Sequence, residues 1–523
     1  MPDAVIIGAG PNGLAAANVL VDAGWSVVVL EANDEPGGAV RTAEVTAPGF
    51  RNDLFSAFYP LGAASPVFKR FDLEAHGLRW VHAPTVLANP TANGRTALLS
   101  RDIDATAANL DTFAPGDGDG WRELYGQFDH IAEPFIDAML GPFPPLRAGA
   151  RLAARLRARG ALDFTRLALL SVRRMGAETF RGEGGALLLG GNAMHADISP
   201  EGAGSGLLGL LLAGLGQRVG FPVPEGGAQR LIDALVARMR AGGGELECGA
   251  RVARVVIRDR RAVGVELANG DHVSAGRAVL ADTDAVALYR DLVGEVHLPA
   301  RVVNSLQRCE RGPGTVKIDW ALSSPIPWSD PAIALAGTVH IGDSMAELST
   351  TAAQIASGFA PANPFVLVGQ MTTTDPTRSP PGTESAWGYA HVPNGRCCDA
   401  GGDGITGKWD ERETDAFVSR VEDRIEAHAP GFRSRVIARH VFSPPALEAA
   451  DANLVGGDLG GGTAQLHQEL VFRPIAGLAR PETPIRGLYL ASASAHPGPG
   501  VHGACGSNAA RAALAHDRLR INR

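Results

Sequence analysis

Lysine is nearly absent from this chain of 523 residues: it occurs only at Lys69, Lys317 and Lys408, so arginine carries almost all of the positive charge. With a net charge of -8 there is no global basic footprint, which argues against nucleic acid as a partner. Cysteine is sparse as well. Cys248, Cys309, Cys397, Cys398 and Cys505 form neither an even framework nor a C-x-x-C pair, which excludes a disulfide scaffold and a dithiol redox centre and fits a reducing, cytoplasmic setting. No apolar run reaches the ~18 residues that a membrane span needs. A calcium-loop reading of Asp117 and Asp119 fails, because the required glycine and distal glutamate are missing, and no metal is expected.

What is present starts at the N-terminus. Residues 3–7 read as an apolar strand that runs into Gly8-Ala9-Gly10-Pro11-Asn12-Gly13, a helix follows over 13–23, and a second strand over 26–30 ends on Glu31. This is the pattern of a dinucleotide-binding βαβ unit. Gly8 permits the tight turn, Gly10 lets the backbone approach a pyrophosphate, and Gly13 allows close packing of helix on strand. The phosphate needs no side chain, since exposed N–H groups and the helix dipole attract it. Glu31, with Ala32 beside it, is placed to accept hydrogen bonds from ribose hydroxyls and disfavours a 2′-phosphate. Next comes Pro36-Gly37-Gly38-Ala39-Val40-Arg41, where glycine N–H groups and a cation suggest a further phosphate contact.

The same character returns twice. Around 221–290 the sequence predicts a helix to Met239, short strands, a hairpin turn at Asn269-Gly270 and a buried strand at 278–281. Around 481–523 it predicts a strand at 487–491, a glycine-rich loop and a final helix. The fold expected is α/β: a Rossmann-like nucleotide-binding domain in three segments, 1–74, 221–290 and 481–523. Inserted into it are a mostly helical cap, 75–220, and a mixed-sheet α+β substrate domain, 291–480. Within the cap, residues 140–181 hold nine arginines against Asp163 and Glu178, a candidate surface for peripheral contact with an anionic membrane.

Taken together, these motifs resemble the flavin-dependent phytoene desaturase and carotenoid isomerase superfamily over nearly the whole chain. Gly8 to Gly13, Glu31 and Gly37-Gly38 look like its N-terminal FAD fingerprint. Pro224-Glu225-Gly226-Gly227 with the later Val252 is similar to its central segment, where a valine backbone meets the adenine. Leu488-Tyr489-Leu490 through His496-Pro-Gly-Pro499-Gly500-Val501-His502-Gly503 is similar to its C-terminal signature. Residues 453–457 and 460–462, Gln468 and Arg473-Pro474 look closest to the branch of pyridine nucleotide-disulfide oxidoreductase domain-containing protein 2.

The resemblance implies FAD as cofactor and a fold of the flavin amine oxidase and phytoene desaturase type. It also implies that Pro499, Gly500, Val501 and Gly503 lie against the flavin, with nearby N–H groups stabilising negative charge on the reduced ring. The expected activity is hydride exchange between flavin N5 and an apolar, isoprenoid or lipid-like substrate, as a desaturase, saturase or isomerase. His502 is the candidate acid/base beside the ring; Lys317, His195 and Asp197 are further candidates for the pocket. A flavin amine oxidase and a non-catalytic, FAD-stabilised partner-binding protein are the alternatives. Oligomeric state is not legible.

Overall fold

The strands Ala4–Ile7, Val27–Leu30 and Ala278–Ala281 are buried on both faces, the condition of a parallel sheet covered by further layers. This computed structural model describes residues 1–519; residues 520–523 of the third expected nucleotide segment lie outside the described residues. The sheet is parallel throughout and runs in the order Leu488–Leu490, Ala278–Ala281, Ala4–Ile7, Val27–Leu30, Glu245–Glu247. Its side chains alternate between two cores, as the period of 2 requires. Ala4, Ile6, Val27 and Val29 face the helices Pro11–Asp22, Gln229–Ala241 and Ala504–Arg518. Val5, Ile7, Val28 and Leu30 face a three-stranded antiparallel sheet, Val252–Arg258, Arg261–Leu267 and His272–Ser274. The Asn269-Gly270 turn joins the last two, with Gly270 at φ 90°.

A second, seven-stranded sheet forms the other half of the molecule. Its order is Val436–Phe442, Gly314–Leu322, Glu384–Val392, Val366–Gln370, Ala336–Ile341, Thr85–Pro90, Thr96–Leu99. The last two strands come from the stretch expected as mostly helical cap. Thr85–Pro90 pairs in parallel with Ala336–Ile341, and the turn to Thr96–Leu99 passes through Asn93-Gly94, with Gly94 at φ 80°. An Asn-Gly turn between β-branched runs is a hairpin signal that the long helical pattern after it masks. Apart from the short strand Trp80–Val81, the rest of that stretch is mostly helical and includes Asp117–Leu140, Leu146–Leu169, Glu183–His195 and Ser205–Val219; Leu146–Leu169 is interrupted at Arg157, where φ is 56°.

Alternation in the second sheet decides what lines the interior. On Gly314–Leu322, Val316, Ile318, Trp320 and Leu322 pack with Phe417, Val418, Val421 and Ile425 of the helix Glu411–His428. Thr315 and Lys317 therefore point to the opposite side, where they line a cavity between the sheet and the nucleotide-type domain.

Candidate active site

Three glycines shape the first loop. A Cβ on Gly13 would stand 2.1 Å from the Gly8 carbonyl oxygen, and one on Gly10 would stand 2.8 Å from Asp282 Oδ2. Gly10 is the N-cap of Pro11–Asp22, with Pro11 in the first turn, where its missing N–H costs no hydrogen bond. Gly37 N donates to the Ala9 carbonyl at 3.0 Å, and a Cβ on Gly38 would lie 3.2 Å from Gly10 Cα, so the two glycine loops touch. Arg41 fastens the second loop: Nε donates to Gly38 O at 3.1 Å and Nη2 to Ala450 O at 2.8 Å. Its guanidinium, expected on a phosphate, is thus bonded to carbonyls.

Glu31 stands at the end of the second strand. Its Oε2 accepts from Ala9 N at 2.8 Å and its Oε1 from Asn33 N at 2.9 Å, so the carboxylate ties the strand end, with Ala32, to the glycine loop. The Glu31 carbonyl accepts from Ala250 N at 2.8 Å, which brings the chain leading into Val252 alongside this strand end; Val252 itself packs partly buried on the core beneath the sheet.

No motif points to Asp282, which follows the strand Ala278–Ala281. Its Oδ2 accepts from Gly13 N at 2.7 Å, in the first turn of the helix Pro11–Asp22. Burial, opposed by the Gly13 N–H and reinforced by Asp451 and Glu31, pushes its carboxyl up to about 7. A carboxyl that is readily protonated there spares a diphosphate from a full opposing charge.

From the C-terminal loop, Pro499, Gly500, Val501 and His502 all line the same cavity. Gly503, at φ 68°, starts the helix Ala504–Arg518 and lies against Phe68. His502 is held on both sides: its Nδ1 accepts from Ala504 N at 3.0 Å, and its carbonyl accepts from Ser65 Oγ at 2.7 Å. Burial lowers its imidazole to about 4, so the ring is neutral.

The cavity has a volume of about 710 Å³ and is continuous from Gly10 and Gly38, past His502, to Phe135, Leu152, Phe164 and Leu212 of the helical layer. On its sheet side, Lys317 Nζ donates to Asp53 O at 2.7 Å and pairs with Asp319. Burial lowers the Lys317 amine and pushes Asp319 up to about 6. Behind them Arg378 pairs with Asp53 at 2.6 Å, both fully buried. His195 and Asp197, at the end of the helix Glu183–His195, reach the same wall. Asp197 pairs at 2.7 Å with His391, a residue that sequence reasoning passed over because it lies on a distant strand. Among the described residues no cluster of His, Cys, Asp and Glu could hold a metal ion.

A glycine cradle with no room for side chains, N–H donors at a helix start, and an acid at the second strand end fit FAD. A family model described as Flavin containing amine oxidoreductase matches residues 12–384. The chain belongs to this family. It is 29% identical to pyridine nucleotide-disulfide oxidoreductase domain-containing protein 2 of Mus musculus, over 97% of this chain and 92% of that protein. It is 27% identical to a phytoene desaturase (lycopene-forming) of Pseudescherichia vulneris, over 98% of this chain and 99% of that one.

Solved structures with the same fold include an oxidoreductase from Methanosarcina mazei, with TM-score 0.63, 15% identity and coverage of 98% and 99%. Cyclohexylamine oxidase from Brevibacterium oxydans IH-35A gives TM-score 0.59 at 18% identity, with both chains fully covered. The protein is an FAD-dependent oxidoreductase of the amine oxidase and phytoene desaturase type. No described helix is long and apolar enough to cross a membrane.

Proposed function

We propose that this flavoenzyme exchanges hydride with an elongated apolar substrate of isoprenoid or lipid-like character. One observation carries the reading: the cavity that begins at the glycine loops and His502 continues without a break between apolar helices. The phytoene desaturase relative supports an apolar substrate. FAD supplies the hydride acceptor, N5 of its ring, and the protein binds, orients and excludes water.

Each set of residues then has a task. Gly10, Asn12 and Gly38, which line the cavity, present backbone to the diphosphate, with Pro11 starting the helix; Ala9, Gly13 and Gly37, whose N–H groups are bonded within the protein, hold the two loops in shape, while Glu31 and Ala32 meet the ribose. The backbone near Val252 flanks the adenine. Pro499, Gly500, Val501 and Gly503 set the loop against the ring, and neutral His502 holds that loop in shape. The apolar helices exclude water and align the substrate chain. The face of Leu146–Leu169, with exposed Leu146, Leu162 and Leu169 among its arginines, is the part we assign to peripheral contact with anionic lipid.

The test is anaerobic titration of the purified yellow protein with apolar isoprenoids, long-chain amines, NADH and NADPH. Flavin bleaching by an isoprenoid, and not by amines or nicotinamides, is the expected result. Bleaching by amines alone would move the protein to the amine oxidases. A flavin inert to every donor and acceptor would favour a non-catalytic, partner-binding role.

A further inference from the structure

The sheet wall of the cavity carries a group that the flavin chemistry described above does not use. Asp197 lies just past the end of the helix Glu183–His195, with φ 59°, in the left-handed position that closes a helix and favours glycine. A carboxylate there also faces the negative end of the helix dipole.

The Asp197 side chain meets two things. Asp197 Oδ1 lies 2.7 Å from His391 Nε2, an ion-pair contact, and His391 Nδ1 is 3.2 Å from Thr315 Oγ1, its neighbour across the strand ladder. Burial depresses the His391 imidazole, but the Asp197 carboxylate outweighs it and raises the ring above its ordinary value. Asp197 Oδ2 makes no hydrogen bond among the described residues, and Asp197 lines the cavity together with Tyr389.

Charge decides what this acceptor takes. The wall holds three ion pairs, Lys317 with Asp319, Arg378 with Asp53 and His391 with Asp197, and Asp458 adds a further buried carboxyl that acts on His391. A carboxylate would meet Asp197 as a like charge, and an ammonium would compete with His391 for the same carboxylate. A neutral hydroxyl brings no charge, and its O–H matches the acceptor that Oδ2 leaves open.

We propose that Asp197, oriented by His391, is a subsite for the hydroxyl group of an otherwise apolar substrate, such as an isoprenoid alcohol. The assignment rests on the reading that this cavity holds the substrate, and narrows it to alcohols.

The test is calorimetric titration of the FAD-loaded protein with four probes on one skeleton: farnesol, the corresponding amine, the corresponding acid and the hydrocarbon farnesene. Farnesol is expected to bind at least ~10-fold tighter than the other three, the size of one hydrogen bond to a charged group. Asp197→Gly suits the left-handed backbone and is expected to erase that preference while leaving farnesene binding and FAD content unchanged. Asp197→Asn, which keeps an acceptor, is expected to retain part of it.

Equal binding of the four probes, a preference for the amine or the acid, no binding at all, or a farnesol preference that survives Asp197→Gly would each overturn the subsite. The redox reading fails separately. A farnesol preference lost in Asp197→Gly, with no isoprenoid able to bleach the flavin, supports the subsite and removes hydride exchange.

Discussion

Gly506 and Asn12 touch backbone to backbone: a Cβ on Gly506 would stand 1.8 Å from the Asn12 carbonyl oxygen. The contact locks the first turn of Ala504–Arg518 onto the first turn of Pro11–Asp22, so the last helix of the chain supports the first glycine loop. Gly506→Ala must push the two helices apart. Overpacking of this kind costs about 1 to 3 kcal/mol, and the strain falls on the loop assigned to the diphosphate. The variant is expected to melt lower than the parent and to lose FAD on gel filtration. An unchanged melt with full FAD content would mean that the helices part freely and that this contact does not set the loop.

Glu31 offers a second handle on the cofactor. Its two oxygens hold Ala9 N and Asn33 N, so Glu31→Ala removes both a loop tie and the acceptor assigned to the ribose. The expected loss in FAD affinity is about 1 to 3 kcal/mol, the range for a hydrogen bond to a charged group. Glu31→Gln keeps one acceptor and is expected to fall between the two. Fluorescence titration of FAD into the stripped protein measures it; wild-type affinity in the Ala variant would take Glu31 off the ribose.

Asp282 makes the FAD-free protein sensitive to pH. Its carboxyl, ordinarily near 3.8, is pushed up to about 7 by burial, with Asp451 and Glu31 adding to the effect and the Gly13 N–H opposing it. Between those values the folded state holds a proton that the unfolded chain has released. The contribution of this group is therefore present below about pH 4 and is lost as pH rises through about 7. A shift of about 3 pKa units corresponds to at most about 4 kcal/mol. Asp319, pushed up to about 6, and Glu384, pushed up to about 7, act in the same direction. The diagnostic is thus the difference between wild type and Asp282→Asn in denaturant unfolding across pH 4 to 8. Parallel curves would show that Asp282 does not carry the proton.

The nucleotide half was legible because its signals are local. Gly8, Gly10 and Gly13 sit within one turn of each other, and the acid that closes the motif follows one helix and one strand later. The cavity wall was not legible for the opposite reason. Lys317 was visible only as a candidate for the pocket; its role as a buried partner of Asp319 and the Asp53 carbonyl depends on a register that joins distant strands. Asp197 was visible as a candidate, but His391, which gives it direction, is reached only through the pairing of Glu384–Val392 with Gly314–Leu322. Asp282 follows an unremarkable buried strand and acquires its meaning only because that strand lies beside Ala4–Ile7.

The arginine-rich helix makes a modest electrostatic surface. Arg151 pairs with Asp137, while Arg166 and Arg174 share Glu178, so part of the positive charge is neutralised within the cap. Exposed Leu146, Leu162 and Leu169 must supply the rest of any lipid affinity. Binding to vesicles with anionic lipid is expected to be weak, to fall with salt, and to drop further in Leu162→Ser/Leu169→Ser. Co-sedimentation that ignores both salt and lipid charge would leave these residues as the outer face of a cap helix.

Arg378 and Asp53 tie the two halves of the molecule together, and their pairing predicts a non-additive result. Asp53 Oδ2 meets Arg378 at 2.6 Å, while Oδ1 accepts from Thr42 Oγ1 at 2.7 Å and Ala228 N at 2.9 Å, at the start of the helix Gln229–Ala241. Arg378 comes from the half built on the seven-stranded sheet and is fully buried. Arg378→Leu leaves Asp53 as a buried carboxylate without its cation, a change that costs about 3 to 5 kcal/mol. Asp53→Asn alone strands the guanidinium and costs a similar amount. Combining the two removes both charges and keeps the amide as an acceptor for Thr42 and Ala228, so the double variant is expected to be more stable than either single one. Denaturant unfolding of the four proteins closes the cycle. If the two losses simply add, the pair is not coupled, and the link between the halves rests on packing rather than on this ion pair.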